Sequence, residues 1–190
     1  VNVRLFVALE LPRPVVDALV GWRTPLVSED EALRAVPRAS LHATLAFLGW
    51  QEEASIAPLS ALVDACASGV GGVAGLALGA PLWLPRRRPR VLAVALEDRH
   101  GQLGVLQARL VEELVAGAWY EPEARPYLPH VTVARVRSGG APRLGEPPTA
   151  ARGGGAPPVL SFDAAAVVLY RSHLSAGGAR HEPLAIGRLA

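Results

Sequence analysis

The segment SLHATLAFLG, residues 40–49, has a counterpart in LPHVTVARV, residues 128–136. Each carries a histidine, one apolar residue, a threonine and another apolar residue, and both read as strands. Side chains alternate between the faces of a strand. His42 and Thr44 therefore point one way while Ala43 and Leu45 face the core. The same rule sets His130 and Thr132 against Val131 and Val133. Each segment offers an imidazole and a hydroxyl about 7 Å apart along one face, at a rise of about 3.3 Å per residue.

The surroundings of the two motifs also repeat. LFVALELP (Leu5–Pro12) resembles LAVALEDR (Leu92–Arg99). Glu10 precedes His42 by 32 residues and Glu97 precedes His130 by 33, the mark of a duplicated supersecondary unit. VNVRLFVALE and RVLAVALE read as strands, and a helical pattern follows each. Pro14 fits the first turn of a helix reaching about Val27, with Val15, Val16, Leu19 and Trp22 on one stripe. Leu103, Leu106, Leu110 and Leu114 form the second stripe, which Gly117 can stop. A helix at about 52–68 and a strand from Val73 to Leu84 complete the first half. A Gly/Pro-rich loop from Ser138 to Pro158 and a strand near Val159 to Tyr170 complete the second. The pattern is strand, helix, strand, optional helix, strand, twice over, with halves of about 1–88 and 89–190 in one domain.

Composition narrows the chemistry. A chain of 190 residues, 51% hydrophobic and 19% charged, can bury a sizeable interior. The longest apolar run, Val70 to Leu84, is interrupted by four glycines and a proline and falls short of the roughly 20 residues a bilayer span needs. The N-terminus lacks the order of a signal peptide, so a soluble, cytoplasmic protein without membrane contact is expected. The single Cys66 rules out an internal disulfide and a cysteine-cluster metal site. All nineteen basic residues are arginine. The absence of lysine excludes a P-loop lysine, a Schiff base and a lysyl-adenylate. Arginine suits phosphate recognition, although compositional bias accounts for most of the nineteen.

Taken singly, each histidine reads as a satisfied residue at a core edge and each threonine as a good strand former. Two matched copies suggest more. If the halves face each other across a groove, two imidazoles flank one ligand with two hydroxyls beneath it. That suits in-line displacement at phosphorus, in which one imidazole takes a proton from water and the other protonates the departing oxygen. The threonines would donate hydrogen bonds to the non-bridging oxygens. A metal site built on both histidines lacks carboxylates at ligand spacing, and no cofactor is expected.

LHATLAFLG and PHVTVAR resemble the paired signatures of the two-histidine (2H) phosphoesterase superfamily, most closely the LigT-like RNA 2′,3′-cyclic phosphodiesterases. RLFVALELP, PRVLAVAL, RPYLPHVTVAR and VVLYRSHLSAGGARHEPL extend the likeness over nearly the whole chain. The resemblance implies an α+β fold, a duplicated β-α-β-α-β unit forming two pseudo-symmetric lobes with antiparallel sheets around a central cleft. It implies metal-independent hydrolysis of an RNA 2′,3′-cyclic phosphate end to a 2′-phosphate. By the same resemblance His42 donates the proton and His130 activates water, Thr44, Thr132 and Arg135 bind phosphate, and Phe47 stacks on the terminal base. The expected partner is an RNA end, bound by a monomer. A non-catalytic RNA-end binding module and a phosphodiesterase of small cyclic nucleotides are the alternatives.

Simple alternation disagrees on two of these residues. Phe47 and Arg135 each lie five positions beyond a histidine, on the opposite face of an unbroken strand, so each strand must end or bulge first. His181 stands where the family pattern has tyrosine, which leaves that position without an assigned role. Arg86, Arg87, Arg88 and Arg90 read as a solvated hairpin end or as an RNA track. His100 and His173 read as surface residues, the latter in a turn. Trp22, Trp83 and Trp119 read as packing anchors, Trp50 as a possible extension of a stacking wall, Tyr127 as a border of the cleft and Cys66 as inert filler.

Overall fold

Val3, Leu5, Val7 and Leu9 are buried on one side of the first strand, β1 (Asn2–Glu10), which leaves Arg4, Phe6 and Ala8 on the other. This two-sidedness organises the rest of the molecule. The computed structural model describes residues 1–140, 155–175 and 178–189. After β1 come α1 (Arg13–Glu29), β2 (Leu33–Ala35), β3 (His42–Glu52), α2 (Ile56–Ser68), β4 (Val73–Leu84), β5 (Val91–Asp98), α3 (Gln102–Ala116), β6 (His130–Val136), β7 (Ser161–Ala164), β8 (Ala166–Ser175) and β9 (Gly178–Arg188). The fold is α+β: among the described residues, three α-helices lie on a sheet whose strand pairs are all antiparallel.

The sheet runs in the order β7-β4-β5-β6-β3-β1-β8-β9, and β2 pairs with β6 off this path. The two motif strands, β3 and β6, are therefore neighbours at its middle. They meet at one bridge, Ala43 opposite Val131. Beyond it β6 continues against β2 and β5, while β3 continues against β1. β4, from the first half of the chain, lies beside β5, and β8 lies beside β1. A cut near residue 88 thus divides the sequence but not the sheet.

Each helix buries an apolar stripe. Leu103, Leu106, Leu110 and Leu114 of α3 have no exposed surface, and the Gly117 N–H closes the helix on the Glu113 carbonyl. Val15, Leu19, Trp22 and Leu26 do the same for α1, and Leu59, Val63, Cys66 and Ala67 for α2. At roughly 1.5–3 kcal/mol for each large apolar side chain removed from water, these stripes, rather than capping, hold the helices to the sheet; none of α1, α2 and α3 has a side-chain cap at its N-terminus.

The structure departs from the sequence reading in several places. The strand expected from Val159 to Tyr170 is two strands, β7 and β8, and β8 runs on to Ser175. Ala165 separates them, its carbonyl accepting the Leu189 N–H. His173 lies within β8 rather than in a turn, and its Nε2 is 2.6 Å from a Glu182 carboxylate oxygen on β9. β2 and β9 have no counterpart in the sequence reading. The match of LFVALELP to LAVALEDR is out of structural register by two residues, because Ala8 pairs with Thr44 whereas Ala93, not Ala95, pairs with Thr132. Most of the Ser138 to Pro158 loop lies outside the described residues. The arginines at 86–88 and 90 are exposed between β4 and β5. Among the described residues no helix is long and apolar enough to cross a membrane.

Because Leu106 is fully enclosed, Leu106→Ala is expected to cost about 2–5 kcal/mol, seen as a lower urea midpoint with an unchanged slope.

Candidate active site

The bridge between Ala43 and Val131 sets the geometry of the site. Continuing its antiparallel register one residue each way puts His42 across from Thr132 and His130 across from Thr44. The four side chains occupy the corners of a square on one face, with the histidines on one diagonal and the threonines on the other. Diagonal neighbours in such a pair lie about 7–8 Å apart, somewhat less at Cβ, room for one tetrahedral group between two imidazoles. A cavity of about 290 Å³ opens over this square, and His42, Thr44, Phe47, His130, Thr132 and Arg135 all line it.

The last two reach the cavity because each motif strand carries one extra residue. In β3, Ala8 pairs with Thr44 but Val7 with Ala46, which leaves Leu45 unmatched. In β6, Ala93 pairs with Thr132 but Leu92 with Ala134, which leaves Val133 unmatched. Both bulges fall one residue after the threonine. Both strands consequently bury two consecutive residues, Leu45 with Ala46 and Val133 with Ala134, before returning Phe47 and Arg135 to the histidine face.

A bulge takes a carbonyl out of the regular ladder, and a helix side chain serves each one. Arg23 of α1 donates from Nη1 to the Val133 carbonyl at 2.7 Å, and the Val36 N–H adds a second bond at 3.0 Å. Gln107 of α3 donates from Nε2 to the Leu45 carbonyl at 3.4 Å. Arg23 is 5% exposed, a charge retained in the interior for this contact. Nothing in the sequence reading marked either residue. Tyr127 does not line the cavity; its hydroxyl donates to the Thr44 carbonyl at 3.2 Å and braces the approach to β6 against β3.

The two imidazoles differ. His130 Nδ1 lies 2.7 Å from the Leu128 carbonyl. A carbonyl only accepts, so Nδ1 carries the proton and Nε2 of the neutral ring keeps its lone pair. His42 is held down to about 4 by burial first and by His181, Arg135 and His130, against a backbone hydrogen bond at Ser40 that raises it. The resting His42 is thus neutral at pH 7.

His181 is a third imidazole in the cleft. Its ring centroid is 5.3 Å from that of His42 and 4.8 Å from that of Phe6, edge-on to both. Its Nδ1 is buried without a hydrogen-bond partner, and burial, then Arg135 and Arg4, lower its pKa. Phe6 also stacks on Tyr170 at 5.1 Å. Arg4 and Arg34 complete the positive lining, and desolvation followed by these two lowers the Arg135 guanidinium from its ordinary value. Among the described residues no carboxylate lines the cavity. Among the described residues no group of three His, Cys, Asp or Glu could hold a metal ion.

TT0787 of Thermus thermophilus is 30% identical over 98% of this chain and 97% of that one, with a TM-score of 0.78. E. coli LigT, solved with 3′-AMP, is 26% identical over 100% and 99%, with a TM-score of 0.76. The chain belongs to the LigT-like 2H phosphoesterase family. The PDE domain of MHV ns2, 12% identical with a TM-score of 0.57, shares the fold of this LigT-like protein. No family model and no curated protein matches the sequence. The family places this chain among phosphodiesterases and hydrolases.

The depressed His42 makes stability depend on pH in a definite direction. Between about pH 6.5 and 4 the unfolded chain binds the proton and the folded one does not, so stability falls as pH drops through this window. The effect is on the order of 3 kcal/mol. Urea midpoints should decline from pH 6.5 to 4 in the native protein, and decline less in His42→Gln.

Proposed function

We propose that this protein hydrolyses the 2′,3′-cyclic phosphate at an RNA end to a 2′-phosphate, without a metal, by acid–base catalysis from His42 and His130. The observation that supports this most is the square of two imidazoles and two hydroxyls on adjacent strands under one cationic cavity. A cyclic phosphodiester carries one negative charge and two ester oxygens. One ester oxygen leaves as water attacks the opposite side of phosphorus, which calls for a base on one side and an acid on the other.

In this reading Nε2 of His130 removes a proton from water as its oxygen bonds to phosphorus. The bond from phosphorus to the 3′-oxygen breaks, and His42 delivers a proton to that oxygen. The products are a 2′-phosphate and a free 3′-hydroxyl. Thr44 and Thr132 donate to the non-bridging oxygens as charge gathers there, and Arg135 adds a fixed positive charge at the rim. Phe47, 57% exposed, offers its ring to the terminal base.

The acid role asks His42 to carry a proton that the empty cleft disfavours. The substrate supplies the missing counter-charge: an anion beside His42 offsets the repulsion from His181, Arg135 and His130. Proton uptake and phosphate binding are then one linked event. We read the enzyme as a cytoplasmic monomer acting on RNA ends. We read residues 1–190 as a single bilobal domain whose halves, about 1–88 and 89–190, exchange β4 and β8.

An oligonucleotide ending in a 2′,3′-cyclic phosphate should yield a terminal 2′-phosphate; a 3′-phosphate would contradict the leaving oxygen and no turnover would contradict the reaction. Activity should survive EDTA, and a complete loss restored by zinc would reject the mechanism. kcat/KM should be bell-shaped in pH, and either histidine changed to alanine should lower kcat by at least about 10²-fold. Calorimetry with inorganic phosphate should show proton uptake on binding at pH 6 to 7, reduced in His42→Gln.

A further inference from the structure

Two exposed aromatics lie along the cleft face of β3. Phe47 belongs to the site described above; Trp50, 64% exposed, does not line the cavity. Its place on the sheet is settled by register. Trp50 pairs directly with Arg4 of β1, as Phe47 pairs with Phe6, so all four share a face. A second irregularity, with Leu48 unmatched and Gly49 at a φ of +68°, keeps Trp50 on that face. With the extra residue discounted, the two aromatics are two strand steps apart, about 7 Å.

We propose that Trp50 and Arg4 form a second-nucleotide subsite. The base preceding the cyclised terminal nucleotide stacks on Trp50, and the phosphodiester joining the two nucleotides lies against Arg4. The proposal rests on the reading of the cleft as an RNA-end site and specifies its substrate as an oligonucleotide rather than a mononucleotide.

The charge distribution favours this occupant. Arg4 and Arg135 line one cavity, and each guanidinium repels the other. Among the described residues that cavity has no carboxylate in its lining. One scissile phosphate carries a single negative charge, so a second phosphate suits Arg4 standing beside Arg135. The track has an end. Two residues beyond Trp50, on the same face, exposed Glu52 pairs with Asn2 and sets a carboxylate where a further phosphate would fall. The subsite therefore takes one additional nucleotide.

The test compares a mononucleotide, a dinucleotide and a trinucleotide, each ending in a 2′-phosphate, by calorimetry on one protein preparation. The dinucleotide should bind about 5- to 100-fold tighter than the mononucleotide, the range of one base–aromatic stack. The trinucleotide should add nothing further. Trp50→Ala should bring the dinucleotide-to-mononucleotide ratio toward one, and Trp50→Phe should preserve most of it. The salt slope should steepen by about 0.7 with the dinucleotide, and Arg4→Gln should remove that increment. A folding defect weakens both ligands and leaves the ratio, so the ratio reports the subsite. Equal binding of mono- and dinucleotide, or a gain that survives Trp50→Ala, overturns the proposal. Turnover of a cyclic-phosphate end is scored separately. A dinucleotide gain without turnover leaves the subsite standing and removes the phosphodiesterase reading; turnover without the gain does the reverse.

Discussion

One unmatched residue after each motif threonine determines what the cleft contains. Without Leu45 and Val133 as the extra residues, strict alternation would turn Phe47 and Arg135 into the core and leave the histidines facing a cavity with neither its aromatic nor its rim cation. A bulge persists when its freed carbonyl finds a donor, and here the donors come crosswise. Helix α1, from the first half of the chain, serves the bulge of β6, and helix α3, from the second half, serves the bulge of β3. Helix packing and site geometry are thereby coupled. The leucine stripe that seats α3 also places Gln107, and the stripe that seats α1 also places Arg23.

The electrostatics of the cleft follow from the same geometry. Turning Arg135 inward brings it near Arg4, Arg34 and His181, and turning His42 inward places it among His181, Arg135 and His130. Burial first, and then the positive groups around them, lower His42, Arg135 and His181. A site of this kind is under tension until an anion arrives. In the proposed reaction that repulsion favours the bound anion and couples its charge to the protonation of His42. The asymmetry between the two imidazoles has a local source. His130 has its tautomer set by the Leu128 carbonyl, whereas His42 is enclosed by rings of Phe6, Tyr170 and His181.

Much of this was legible in the chain. Val73–Leu84 is a strand with the bounds read from composition, and the leucine stripe of α3 and its Gly117 stop lie where periodicity put them. The six candidate site residues share one cavity: the His-x-Thr spacing of two puts each histidine and its threonine on one face, and the bulges add Phe47 and Arg135. The misses have physical reasons. β2 is three residues long and exists only because β6 offers it an edge. β9, GARHEPLAIGR, has no alternation of its own and is held by β8, so His181 could not be placed in the cleft. The bulges did leave a trace, the consecutive apolar pairs Leu45-Ala46 and Val133-Ala134. Their register, and the helix side chains that hold them, emerge only when tertiary packing is known.

The central claim is that His42 and His130 act on one phosphorus atom as a unit. A double-mutant cycle in kcat on a cyclic-phosphate-ended oligonucleotide tests it most directly, using His42→Ala, His130→Ala and the pair. Residues acting together should be strongly non-additive, with the double variant hardly slower than the worse single one. Losses that multiply, as for two independent sites, would contradict the account.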